Sequence, residues 1–162
     1  MGSGEDIEET IRRLPQLARS RSAIDHYEAA ALIADDDDLF SAVAIYTAGN
    51  PDIFEEWPEQ QERLVRILKR VKPFRPWFKE FYRGQPDAPD PGHATARRGF
   101  RSWTPRRKIA EGFATEYPGG VVRVLSRPVR AVSMQDIATW RMRLRDESQY
   151  PGEQAEWLVL EE

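Results

Sequence analysis

The sequence predicts an α+β fold, with helices first and a mixed, mainly antiparallel β core after them. Apolar residues recur at helical spacing up to about residue 71, and at strand-like spacing in short runs after residue 76. Pro73 and Pro76 separate the two regimes, since a helix interior loses a hydrogen bond at each proline. A chain of 162 residues fits one compact unit. Hydrophobic residues make up 40% of it and charged residues 31%, which gives enough apolar matter for a core and excludes the disordered class.

Met1-Gly2-Ser3-Gly4 has the composition of a cloning scar and is set aside from the fold reasoning. Residues 5–76 form the helical part. Ile7, Ile11, Leu14 and Leu17 make one stripe over 5–19, which Pro15 is expected to kink or end. Ser22 is a candidate N-cap for a helix over 23–34. The run Asp35–Asp38 lacks the alternating ligands and glycine of a calcium loop. It reads as a solvated turn whose last aspartate caps a helix over 39–47, stopped by Gly49-Asn50-Pro51. Leu64, Ile67, Leu68 and Val71 predict a further helix over 58–71.

Residues 77–162 form the strand-rich core. Residues 77–83 are aromatic and read as a strand, and 84–98, with three prolines and two glycines, as a loop. Residues 99–104 predict a short strand. Pro105 then opens a helix over 106–114. After the Gly119-Gly120 turn, strands are expected at 121–125 and 128–132 and a helix at 134–144. A turn at Tyr150-Pro151-Gly152 leads to a last apolar strand over 155–160.

Composition narrows function. There are no cysteines and only two histidines, so disulfides are excluded and no metal is expected. No apolar run approaches the roughly 20 residues of a membrane span, and no basic-then-apolar leader is visible, so a cytoplasmic location is expected. The net charge of −3 is unevenly spread. Residues 1–81 are net acidic, whereas 82–162 are net basic and owe that to arginine, Lys108 being the only lysine there. Arginine's planar fork suits phosphate oxygens, which makes the second half the place to look for an anionic ligand.

Three segments carry chemistry together. They are Phe81-Tyr82-Arg83-Gly84, Ser102-Trp103-Thr104 with the helix ending in Gly112-Phe113-Ala114, and Gln154-Ala155-Glu156 before Trp157-Leu158-Val159-Leu160. Each alone is commonplace. Their order and spacing resemble the mono-ADP-ribosyltransferases of the arginine–serine–glutamate class, which include the clostridial Rho-modifying exoenzymes, the binary actin-modifying toxins and vertebrate ecto-enzymes. The resemblance spans 81–160, and the preceding helices suit the N-terminal helical part of that family.

The resemblance implies NAD as co-substrate and an ADP-ribosyltransferase-like β core. Breaking the nicotinamide–ribose bond builds positive charge on the ribose, and a carboxylate beside it stabilises that charge. Glu156 is the candidate, with Ser102 orienting it. Gln154 lies two residues earlier on the same strand face, whereas Glu153 points to the other. Arg83 takes the phosphate and ribose role by resemblance. Gly84 bonds the nicotinamide carboxamide and Phe113 packs on its ring. Thr104 keeps the hydroxyl of a usual serine, and Tyr82 adjoins the NAD site. Phe113, Tyr82 and Trp103 also read as ordinary core residues. No Gly-x-Gly-x-x-Gly fingerprint exists, so a Rossmann site is excluded.

The sequence departs from the family in two ways. Trp103 is bulky where a small residue is usual, and a second arginine soon after the aromatic is missing, with Arg97, Arg98 and Arg101 as substitutes in reach. Gln154 bears on the acceptor: members with glutamine there modify asparagine or guanine rather than arginine, since a neutral amide is no base. The expected partner is therefore a macromolecule, protein or nucleic acid. Two rival readings are an NAD glycohydrolase and a non-catalytic domain that grips phosphate or nucleic acid through its arginines. The acidic pI near 5.6 disfavours the last. A toxin, a secreted effector and a phage-encoded host modifier share these motifs.

Overall fold

The computed structural model describes residues 3–50, 52–78, 80–87, 99–146 and 155–161. Gln154, Arg97, Arg98, most of the proline-rich loop and the Tyr150-Pro151-Gly152 turn lie outside them. The fold is α+β with small antiparallel sheets.

Helix α1 (Ser3–Ser20) continues through Pro15. Pro15 and Ala18 are both buried, and that packing holds the helix across the missing N–H bond. Helix α2 (His26–Asp35) starts later than the periodicity predicts. Ile24 is committed to a bridge with Val71: its N–H donates to the Arg70 carbonyl at 2.9 Å and its carbonyl accepts from Lys72 at 2.8 Å. Extended backbone at Ile24 excludes a helix starting at residue 23. Asp25 instead of Ser22 becomes the cap, accepting the Glu28 N–H at 2.7 Å in a reciprocal capping box.

Helix α3 (Asp37–Thr47) is capped by Asp36, which accepts the Leu39 N–H at 3.1 Å. This leaves Asp37 and Asp38 in the first turn, where the helix dipole favours them. A single turn, α4 (Ile53–Glu56), was not evident in the periodicity and buries Ile53 and Phe54. Helix α5 (Pro58–Arg70) follows with proline in its first turn.

Strand β1 (Phe81–Gln85) starts four residues after the predicted start, because Trp77 and Phe78 form a turn. Glu80 donates to the Phe78 carbonyl at 2.8 Å there. Strand β2 (Phe100–Trp103) leads to α6 (Arg107–Ala114), which begins after Pro105 and Arg106 rather than at them. Strands β3 (Val121–Leu125) and β4 (Ala131–Ser133), helix α7 (Met134–Arg145) and strand β5 (Trp157–Leu160) complete the order. β1 pairs with β3 in a two-stranded sheet, and β2-β5-β4 form a three-stranded one, every pair antiparallel.

Alternation sorts the β2-β5-β4 sheet into two faces. Phe100, Leu158 and Leu160 join Ile33, Leu39, Val43, Phe54, Leu64 and Leu68 from the helices in the main core. Val159 and Ala131 face the other way and meet Phe81 of β1, with Phe78, Trp103 and Trp157 around them. The helical and strand-rich parts therefore share one hydrophobic core.

Arg141 fastens α7 to the helices. It is buried, and Nη1 donates to the Ala34 carbonyl at 2.9 Å and to Asp37 at 2.8 Å, with the guanidinium 4.5 Å from the Phe40 ring centre. Removing it strands a buried carbonyl and a cation–π partner. Arg141→Ala should lower unfolding free energy by about 2–4 kcal/mol, read from denaturant midpoints. A midpoint equal to the parent's would show that α7 is held by its apolar contacts alone.

Candidate active site

The site is built where two strands join and then part. Tyr82 and Thr104 form an isolated antiparallel bridge, with N–H···O distances of 2.7 and 2.9 Å. In continued register, the next hydrogen-bonded pair would be Gly84 and Ser102. Arg83 takes that place: its Nη1 donates to the Ser102 carbonyl at 2.8 Å. β1 and β2 are thus tied at Tyr82–Thr104 and spread apart beyond it. Antiparallel bonding alternates between strand edges. Arg83 pairs with Arg123 on β3, so the backbone N–H and C=O of Gly84 point to the opposite edge, into the gap. Those of Ser102 also point away from β5, as its bond from Arg83 shows.

Glu156 immediately precedes β5, and its carbonyl accepts the Met134 N–H at 2.9 Å. Ser102 pairs with Leu158, so Glu156, two residues earlier, lies diagonally across on the same face. The Ser102 hydroxyl hydrogen-bonds the Glu156 carboxyl. It also lies 2.9 Å from the Tyr46 hydroxyl, which makes a chain of three.

The electrostatics follow from burial. Burial pushes the Glu156 carboxyl above the usual carboxylate range, against the opposing pull of the Ser102 hydroxyl and the Arg83 guanidinium. Burial also lowers the Arg83 pKa, and nearby Arg101 adds to that. Arg101 is itself paired with Glu161. Arg83 Nε is buried and has no hydrogen-bond partner among the described residues. A carboxyl and a guanidinium, both costly to bury, therefore converge on the mouth of the split.

The remaining predicted residues divide. A side chain at Gly84 would collide with the Ala110 carbonyl and the Ala114 amide, so α6 lies directly on this face of β1 while the residue's edge stays toward the gap. Phe113 meets Gly84 through its β-carbon, and the residue is 40% exposed. Tyr82 is on the α6 face of β1, where its hydroxyl donates to Glu80 at 2.8 Å and Arg107 lies 5.8 Å from its ring centre. Thr104 is buried, and its hydroxyl accepts the Arg106 N–H at 3.1 Å, shaping the turn into α6. Trp103 packs in the inter-sheet cluster. Hence Arg83, Ser102 and Glu156 come together, Gly84 and Phe113 border them, and Tyr82 and Thr104 serve the join. Gln154 lies outside the described residues.

Tyr46 was not singled out by the sequence. It looks like one more member of a half-apolar helix. Only the fold brings it to this place. Among the described residues, no group of three or more His, Asp or Glu side chains is placed to hold a metal ion, and no helix is long and apolar enough to cross a membrane. Comparison with protein-family models, characterised proteins and solved structures found no match.

The Glu156 shift has a definite sign. A carboxyl whose folded pKa is raised favours the fold at acid pH, and that contribution is lost as pH rises from the ordinary glutamate range through the folded value. Glu156→Gln should therefore melt at or above the parent's temperature at neutral pH, with the difference shrinking below about pH 4. Thermal midpoints across that range check this. A variant less stable than the parent at pH 7 would show that the ionised carboxylate supports the fold.

Proposed function

We propose that the chain is an NAD-dependent mono-ADP-ribosyltransferase. The observation that carries this reading is the convergence of Arg83 from β1, Ser102 from β2 and Glu156 from the residue before β5 on the gap between β1 and β2. The motif order in the sequence supports it, and so does the chemistry of the site.

In this reading NAD lies in the gap with its nicotinamide–ribose bond beside Glu156. The carbon–nitrogen bond breaks and its electron pair leaves with the nicotinamide nitrogen. Positive charge is left on the ribose, which the carboxylate stabilises. An acceptor then forms the new bond to the same ribose carbon and gives up a proton. Nicotinamide in NAD is cationic, so its arrival favours the ionised form of a carboxylate that burial disfavours. Ser102 holds that carboxylate in place, and Tyr46 holds Ser102. Gly84 turns its backbone groups toward the gap, and Phe113 is exposed at its edge. The acceptor is a macromolecule other than an arginine side chain, an assignment that rests on Gln154. A cytosol, the protein's own or a host's, is the compartment that fits NAD use.

Labelled NAD tests the reading with two readouts, free nicotinamide and label on macromolecules from a lysate. The parent should release nicotinamide and label protein or nucleic acid. Glu156→Gln should retain NAD affinity and lose about 100-fold or more in turnover. Turnover within a few-fold of the parent would remove Glu156 from the chemistry. Release without label would point to hydrolysis.

The acceptor has its own test. Agmatine, a free guanidine, should be labelled poorly by the parent, because the neutral Gln154 amide cannot take its proton. Efficient labelling of agmatine would return arginine to the candidate targets.

A further inference from the structure

The net charge of −3 hides a segregation. Residues 63–79 carry seven basic side chains and no acidic one, and residues 117–135 carry three arginines and no acidic one. The fold lays these two segments side by side. Phe74 and Val129 form an isolated antiparallel bridge, with N–H···O distances of 3.0 and 2.9 Å. Both side chains turn into the inter-sheet cluster. Alternation then sets Pro73, Arg75, Pro128 and Arg130 on the outward face. Side-chain bonds stitch the segments further. Arg75 donates to the Ser126 carbonyl at 3.2 Å, and Arg130 donates to the Lys69 carbonyl at the end of α5.

The result is a cationic strip of Lys69, Lys72, Arg75, Arg127 and Arg130, all exposed except the half-buried Arg130. Lys69, Lys72 and Arg75 make no ion pair among the described residues. Carboxylates adjoining the strip are engaged: Asp25 caps α2, Glu80 accepts from Tyr82, and Glu161 pairs with Arg101. Trp77 stands at the end of the strip and is 89% exposed. Phe78 meets its ring edge-to-face at 5.3 Å, and the buried Pro76 fixes the backbone before it. The indole is thus held outward, with a π-face open beside the cations.

We propose that this strip binds single-stranded nucleic acid, with phosphates on the cations and an unpaired base on Trp77. Salt screens a surface charge beyond roughly 10 Å, so the local sign counts for more than the net charge of the chain. The aromatic ring selects the single strand. Unpaired bases have free faces that stack on it, whereas the bases of a duplex are already stacked on each other. An acidic peptide would satisfy the cations and leave Trp77 unused. This surface is defined by the Phe74–Val129 bridge and is independent of the NAD reading.

Fluorescence anisotropy of a labelled oligothymidine of about 20 nucleotides tests this on the full chain, without NAD. A duplex of the same length and co-sedimentation with phosphatidylserine vesicles are the comparisons. The single strand should bind more tightly than the duplex, and its log affinity should fall linearly with log salt. Lys72→Gln and Arg75→Gln should each reduce that slope by about 0.7. Trp77→Ala should weaken binding about five-fold or more and leave the slope unchanged. Trp77 is exposed, so this variant should keep the parent's circular dichroism and melting temperature. Absence of single-strand binding, equal affinity for the duplex, or unchanged affinity in Trp77→Ala overturns the assignment. Retention on vesicles with no oligonucleotide bound also overturns it and gives the strip to a membrane surface. With NAD absent throughout, oligonucleotide binding and nicotinamide release succeed or fail separately.

Discussion

The pair of backbone hydrogen bonds between Tyr82 and Thr104 is the constraint on which the rest depends. It ties the β1-β3 sheet to the β2-β5-β4 sheet at one point. On one side of that point the sheets close over Phe81, Val129, Ala131 and Val159. On the other they separate, because Arg83 occupies the Ser102 carbonyl that an extended ladder would use. A longer ladder would add hydrogen bonds but seal the gap. Thr104 reinforces the stopping point: its backbone holds Tyr82 while its hydroxyl turns the chain into α6. The site is therefore a consequence of where strand pairing ends.

The two charged groups at the gap make sense only together. A buried carboxyl alone drifts toward its neutral form, and a buried guanidinium alone is an uncompensated charge. Placed near each other, Arg83 helps hold Glu156 toward its charged form, and the Ser102–Tyr46 chain orients it without adding charge. The helical part takes part directly, since Tyr46 belongs to α3. Helices and sheets also share the core around Phe54 and Phe100, whose ring centres are 5.3 Å apart, so the hydroxyl chain is held on packed elements.

Much of this was legible in the sequence, and its failures have physical causes. The α+β order was readable because period is a property of local chain geometry. Helix starts were misplaced where a tertiary contact intervened: Ile24 pairs with Val71, a partner 47 positions away, and that moves the cap from Ser22 to Asp25. The aromatic run at 77–83 mimicked a strand because Phe78 is apolar for another reason, its edge-to-face contacts with Phe81 and Trp157. Arg83, Ser102 and Glu156 were legible as a set because a motif records residue types in order. Tyr46 was not, since it reaches the site through helix packing.

Gly84 joins stability and site in one residue. Its face must be bare because the α6 backbone lies where a β-carbon would stand. Its edge points into the gap because strand bonding alternates and Arg83 spends the other edge on β3. The sequence reading attached this glycine to a ligand, and the fold attaches it first to a helix. These demands are compatible because they concern different directions around one backbone unit. α6 pressed onto β1 fixes the height of that strand, and with it the positions of Arg83 beside Ser102 and of Phe113 at the rim. A residue larger than glycine would displace all three at once, so packing pressure alone is sufficient to keep glycine here whether or not a ligand ever touches it.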